Sequence, residues 1–289
     1  MLLQKREENA ITLAATANNG RIIEEPIPGG IVSPKGKLIY IIALVIGIGI
    51  PISIIYLLNL LRFRIEGHTD VEKLTTVPII GDIPLTDAGK NGTPTIAVRE
   101  NDNNIMAETF RSLRTNLLFI MGDPDKKVIL VTSTISGEGK TFMASNLAVS
   151  LALLGKKVIL VGLDIRKPGL NKIFHLSHKE KGITQYLAAP QSTDLHALIQ
   201  PSGITSNLDL LLGGPIPPNP TELLARQSLE DTISTLRKEY DYIVLDTAPI
   251  GMVTDTLILS RVADASIYVC RADYTHKTCL LYTSPSPRD

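Results

Sequence analysis

The run Val131-Thr132-Ser133-Thr134-Ile135-Ser136-Gly137-Glu138-Gly139-Lys140-Thr141 holds the residue types that can grip a nucleotide phosphate chain. Glycines let main-chain N–H groups approach phosphate oxygens, and a helix starting near Lys140 adds the positive end of its dipole. Lys140 suits a bridge between β- and γ-phosphates, and the Thr141 hydroxyl suits Mg²⁺. Ser136, Gly137, Glu138, Gly139, Lys140, Thr141 and Phe142 form the candidate nucleotide-binding set. The general phosphate-loop pattern begins with Gly, where this chain has Thr134.

Such a loop needs partners, and two acids supply them. Asp241-Tyr242-Ile243-Val244-Leu245-Asp246 is a buried-strand pattern ending in a carboxylate, as is Lys157-Val158-Ile159-Leu160-Val161-Gly162-Leu163-Asp164. Three strands that each deliver a phosphate or metal ligand at the C-terminal end obey the rule for open α/β sheets. The candidate catalytic residues are Lys140, Asp164 and Asp246, and the candidate Mg²⁺ ligands are Thr141, Asp164 and Asp246. The cofactors expected are ATP and Mg²⁺.

Strand and helix patterns alternate from Val128 through Cys270. This predicts an α/β, P-loop NTPase-like fold, a parallel sheet flanked by helices. Upstream, Ile105 to about Ile120 carries Phe110, Leu113 and Leu117 on one helical face. Leu38 to Leu61 is free of charge over 24 positions. As a helix it is about 36 Å long, enough for a hydrocarbon core of about 30 Å. Lysines precede it and arginines follow it, so the positive-inside rule does not orient it. An ATP-type site does, and places the residues after the span in the cytoplasm.

The expected organisation is an extracytoplasmic end and proline-rich connector at 1–37, a transmembrane helix at 38–61, a juxtamembrane linker at 62–104 and the P-loop domain at 105–277. Residues 278–289 are expected to be foreign: Cys279-Leu280-Leu281-Tyr282-Thr283-Ser284-Pro285-Ser286-Pro287-Arg288-Asp289 resembles a translated sequencing adapter. The charged start, Leu2 to Ala10, reads as the end of a longer helix. Net charge is zero and aromatics make up 4%, so no basic field points to nucleic acid. Two cysteines, Cys270 and Cys279, are too few for a disulfide framework or a metal-cluster carrier. The five histidines stand without a nucleophile context, which removes a hydrolase triad.

These residues resemble the bacterial tyrosine autokinases of capsule and exopolysaccharide export, over nearly the whole chain. The carriers are the Ser133–Thr141 loop, Gly162-Leu163-Asp164-Ile165-Arg166 as a Walker A′ strand and Leu245-Asp246-Thr247-Ala248-Pro249 as Walker B. Gly213-Gly214-Pro215-Ile216-Pro217-Pro218-Asn219-Pro220-Thr221-Glu222-Leu223-Leu224 looks like a further hallmark. Glu108, Arg111 and Arg114 match the family's Glu-x-x-Arg-x-x-Arg oligomerisation motif, although spacing alone would make them a solvated helix face. The resemblance implies a ring-like homo-oligomer, an external chain-length-regulator region before the membrane helix, and polysaccharide-export machinery and a tyrosine phosphatase as partners. It also implies acceptor tyrosines in a C-terminal tail, and none clusters ahead of Cys279; Tyr240 and Tyr242 read as packing residues.

One departure is chemical. The family pattern carries Asp-x-Asp in the Walker A′ strand, and the first position here is Gly162. Asp164 is then the expected acceptor-side carboxylate. The change also leaves open a nucleotide-switched scaffold that controls chain length without efficient phosphotransfer. A partition- or septum-type ATPase is disfavoured, because the place of its second loop lysine is Ile135.

Overall fold

The computed structural model describes residues 2–15, 29, 36–60, 63–85, 96–100, 104–176 and 181–283. The chain divides into two compact units between Arg62 and Phe63. In the first, α1 (Leu2–Ala15) buries no side chain, and α2 (Gly36–Leu60) is 25 residues long with Pro51 inside it. By length and composition, Gly36–Leu57 is apolar enough to cross a membrane. The connector prolines Pro26, Pro28 and Pro34 lie outside the described residues.

The second unit is built on one six-stranded sheet. Its strands are β1 (Val128–Ser133), β2 (Val158–Gly162), β3 (Ile199–Pro201), β4 (Leu208–Leu211), β5 (Tyr242–Asp246) and β6 (Ala265–Val269). They lie in the order β3-β4-β2-β5-β1-β6. Its helices are α3 (His68–Leu74), α4 (Ile105–Met121), α5 (Lys140–Leu153), α6 (Leu170–Ile173), α7 (Ile183–Ala188), α8 (Pro220–Leu224), α9 (Gln227–Glu239), α10 (Asp255–Leu259) and α11 (Lys277–Thr283).

Strand periodicity sorts the core. Ile129 and Val131 of β1, Val158 and Leu160 of β2, and Val244 of β5 pack in one apolar cluster with Phe110, Leu113 and Leu117 of α4 and Leu147 of α5. Their strand neighbours Leu130, Ile159, Val161, Ile243 and Leu245 pack in a second cluster with Leu223, Leu229, Ile233 and Leu236 of α8 and α9. Alternate side chains on opposite faces need helices on both faces, which is why consecutive residues such as Val128–Val131 and Ile243–Leu245 are apolar.

The parallel sheet holds for five strands, and the edge strand departs from it: β3 pairs antiparallel with β4. The link from Pro201 to Leu208 is too short for a parallel crossover, which needs about a dozen residues or more. The stretch expected to be a linker is also partly built into this unit. Ile65, Ile96 and Val98 are buried, and the Asn146 Oδ1 in α5 accepts the Ala97 and Val98 N–H groups at 2.7 and 3.1 Å. Apolar side chains and a ready acceptor hold this backbone against α5. Helix α11 runs across residue 278 into the segment expected to be foreign, and Leu280 is buried there.

Candidate nucleotide site

Register brings the three chemistry-bearing strand ends together. Asp246 lies level with Val131 on one neighbour and with Gly162 on the other. Leu163 and Asp164 both donate their N–H groups to the Asp246 carbonyl, at 2.8 and 2.9 Å. The loop from β1 to α5, the exit of β2 and the end of β5 therefore meet at one point. Lys140, Thr141, Asp164 and Asp246 gather there as expected from their spacing.

The loop itself is shaped for an anion. Gly137 and Gly139 have φ of 94° and 100°, a region that favours glycine. Helix α5 starts on Gly139 with no side-chain cap. Its first N–H groups are thus left for a ligand, and the helix dipole points the same way. Thr134 needs no glycine flexibility: it is buried, its hydroxyl bonds the Tyr268 hydroxyl, and its carbonyl accepts the Gly251 N–H at 3.1 Å.

Charges inside the site are tightly balanced. The Lys140 ammonium donates to Asp164 Oδ2 at 2.6 Å and lies 4.0 Å from Asp246 Oδ1. The other Asp164 oxygen accepts the Lys167 N–H at 3.0 Å. Asp246 is buried, and its Oδ1 has no hydrogen-bond partner. Burial pushes its carboxyl up to about 6, with Asp164 adding to the rise and Lys140 and Thr141 opposing it. An orphaned carboxylate oxygen beside a second acid and a threonine hydroxyl is a donor set that suits Mg²⁺. Beside them opens a cleft of about 280 Å³, walled by Asp164, Asp246, Gly162, Gly213, Pro215 and Ile216.

Gly162 has a steric reason. A Cβ there would stand 3.1 Å from the Gly213 nitrogen and 3.1 Å from Leu170 Cδ1. A side chain there would need Leu170 and the backbone at Gly213 to give by a few tenths of an ångström. Arg166 points to a separate task. It grips buried Asp255 at 2.7 and 3.1 Å and the Thr221 hydroxyl at 2.9 Å, tying α8 and α10 to the β2 exit.

Glu138 does not turn its carboxylate to the ligand side. Oε2 accepts the Ile135 N–H at 2.9 Å, and Oε1 accepts the hydroxyl of buried Thr275. Thr275 belongs to a turn that the sequence did not single out. From it Arg271 donates to the Gly137 carbonyl and Tyr274 to the Ser136 carbonyl, both at 3.0 Å. In a trans peptide the C=O and the following N–H point opposite ways. Holding these carbonyls outward therefore aims the Gly137 and Glu138 N–H groups inward. Thr275→Val leaves a buried carboxylate oxygen unpaired, at a cost of about 1–3 kcal/mol. If about 1.4 kcal/mol of it falls on the ligand-ready loop, calorimetry should find Mg-ADP bound about tenfold more weakly, and Thr275→Ser should restore the affinity.

Of the oligomerisation set, Glu108 pairs with Arg111 along α4, and Arg114 donates to the Ser150 carbonyl of α5 at 2.6 Å. Tyr240 is buried, with its hydroxyl donating to Asp209 at 2.8 Å.

A family model described as "AAA domain" matches residues 126–275. The tyrosine-protein kinase wzc of Salmonella typhi is 30% identical over 93% of this chain and 39% of its own length. The chain thus spans well under half of that relative. The tyrosine-protein kinase YwqD of Bacillus subtilis is 38% identical over 60% of this chain and 72% of its own. The solved kinase domain of the Escherichia coli tyrosine kinase ETK superposes with a TM-score of 0.64 at 27% identity, covering 73% of this chain and 84% of that one. With the loop, the two acids and the sheet that aligns them in place, the chain belongs to the bacterial tyrosine kinases of the wzc, Etk and YwqD kind.

Proposed function

We propose that this protein is an ATP-dependent protein-tyrosine autokinase, anchored in the bacterial inner membrane by α2 with its P-loop unit in the cytoplasm, that regulates polysaccharide polymerisation and export. The observation that carries the chemistry is the Lys140–Asp164–Asp246 cluster at the uncapped start of α5. Thr141 and Asp246 would hold Mg²⁺, with Asp164 beside them; a bound Mg²⁺ would neutralise charge on the triphosphate. The residues of the chain do the rest. Main-chain N–H groups and Lys140 bind and orient the phosphates, because phosphoryl transfer needs positioning and charge stabilisation above all.

The 2.6 Å Lys140–Asp164 pair suggests how acceptor activation is timed. A triphosphate competes for the ammonium, and Asp164 is released to take the phenolic proton. A tyrosine hydroxyl has a pKa near 10, so it needs such help. With general-base assistance contributing about 10²- to 10⁴-fold, Asp164→Asn should lower phosphotyrosine formation by about 100-fold or more while Mg-ADP still binds. Activity near that of the parent would remove Asp164 from this role.

Gly162 favours a second reading, a nucleotide-switched scaffold that sets chain length by assembly. ATP turnover without phosphotyrosine would select it. Assembly into a ring through Glu108, Arg111 and Arg114 belongs to the proposal, as do export machinery and an opposing tyrosine phosphatase as partners. Arg111→Ala with Arg114→Ala should sediment as a smaller species. Losing the Arg114–Ser150 bond should cost only about 1–2 kcal/mol of stability. Unchanged assembly size would end the interface role.

A further inference from the structure

We propose that Tyr274 is a self-phosphorylation site whose modification unlatches the phosphate loop it touches. The inference rests on the kinase reading, since the donor is the triphosphate of the same kind of site. A protein that modifies its own tyrosines needs one that another copy can reach. Between residues 63 and 277, Tyr240 is buried, and Tyr186, Tyr242 and Tyr268 are half-buried. Tyr274 is 38% exposed. It stands on a closed turn: the Tyr274 and Thr275 N–H groups donate to the Arg271 carbonyl at 3.2 and 2.9 Å, and the Arg271 N–H donates to the Thr275 hydroxyl at 2.9 Å.

The same side chain is a working part of the loop. Its hydroxyl donates to the Ser136 carbonyl at 3.0 Å, and a Cβ on Gly137 would lie 3.0 Å from that oxygen. The Arg271 guanidinium lies 5.3 Å from the ring centroid and donates to the Gly137 carbonyl. The hydroxyl is held on the carbonyl side of the loop, opposite the N–H groups that face phosphate, so the transfer runs between copies.

In the reaction the phenolic oxygen of one copy attacks the γ-phosphorus bound in another. A new P–O bond forms, the bond to the β-bridging oxygen breaks, and the nucleoside diphosphate leaves with that electron pair. The phenolic proton passes to Asp164 of the copy that holds the nucleotide. The product oxygen has no hydrogen left for the Ser136 carbonyl. It brings a charge of about −1.5 to −2 next to a loop that must bind phosphates. Arg271, beside the Tyr274 ring, is a ready counter-ion, and pairing with the new phosphate draws it from the Gly137 carbonyl. Both outward restraints on the loop are lost, and nucleotide affinity falls.

The test uses the full chain in lipid nanodiscs, incubated with Mg-ATP and digested with trypsin. Cleavage after Arg271 and Lys277 releases a peptide in which Tyr274 is the sole tyrosine. Phosphate is expected on that peptide in the parent and not in Lys140→Met. Calorimetry should find Mg-ADP bound about tenfold more weakly by the phosphorylated parent than by phosphatase-treated parent, on the scale of one strong electrostatic contact. In Tyr274→Phe the two preparations should match. Phosphotyrosine elsewhere with this peptide unmodified overturns the Tyr274 assignment and leaves the kinase reading standing. No phosphotyrosine anywhere overturns both. A modified Tyr274 with unchanged Mg-ADP affinity overturns the unlatching.

Discussion

Asp246→Asn should stabilise the nucleotide-free protein at pH 8 and at the same time lower phosphotyrosine formation by about 100- to 1000-fold. The folded carboxyl titrates at about 6, against an ordinary value of 3.8. Between these values the native state keeps a proton that the unfolded chain has released, so stability falls as pH rises. The whole loss is on the order of 3 kcal/mol, and it is complete above the folded pKa. Asparagine carries no charge at any pH and escapes the penalty. Thermal melts should show the variant ahead of the parent by the widest margin at pH 8, with the gap closing toward pH 4. A margin that does not change with pH would mean that Asp246 is not a strained buried acid.

The functional half has the same origin. On the proposed function, the Asp246 oxygen without a hydrogen-bond partner is the one that would hold Mg²⁺. Removing a group that stabilises transition-state charge typically costs about 100- to 1000-fold in rate. Mg²⁺ must also displace the proton, so its apparent affinity for the parent should weaken as pH drops below about 6.

Lys140→Met should have the largest effect on binding. The ammonium lies 2.6 Å from Asp164 and 4.0 Å from Asp246. Without it the triphosphate meets two acids and loses the ammonium that pairs with them. Mg-ATP affinity should fall by at least about 100-fold, the scale of a lost charge-assisted contact in a partly buried site. The unliganded protein should suffer too, because breaking one partner out of a buried pair costs about 3–5 kcal/mol. Urea melts should show that loss at pH 8 and a smaller one at pH 5, where protonation relieves the repulsion. Adding Asp164→Asn should return part of the stability and none of the binding. Near-parent Mg-ATP affinity in Lys140→Met would mean that the nucleotide does not sit in this loop.

Much of this site is local in character. A strand with consecutive apolar residues, a glycine loop and a helix start are each written within a dozen residues, and so are the acids that close β2 and β5. Their rules act between near neighbours, so Lys140, Thr141, Asp164 and Asp246 could be named before any packing was known. The P-loop sheet with helices on both faces was legible for the same reason. Phe110, Leu113 and Leu117 likewise declared the buried face of α4 by spacing alone.

Other properties depend on which distant segments meet. Glu138 looks like a ligand-side residue by position, yet its carboxylate is turned away by Thr275, from the far end of the chain. The antiparallel edge of β3 follows from a short link to β4, and Gly162 becomes intelligible only when Leu170 and Gly213 are seen beside it. Residue type and spacing by themselves determined which groups could hold a magnesium triphosphate. Only the folded sheet decided their charges and orientations, because burial and opposing neighbours come from strands and turns that approach one another solely in three dimensions.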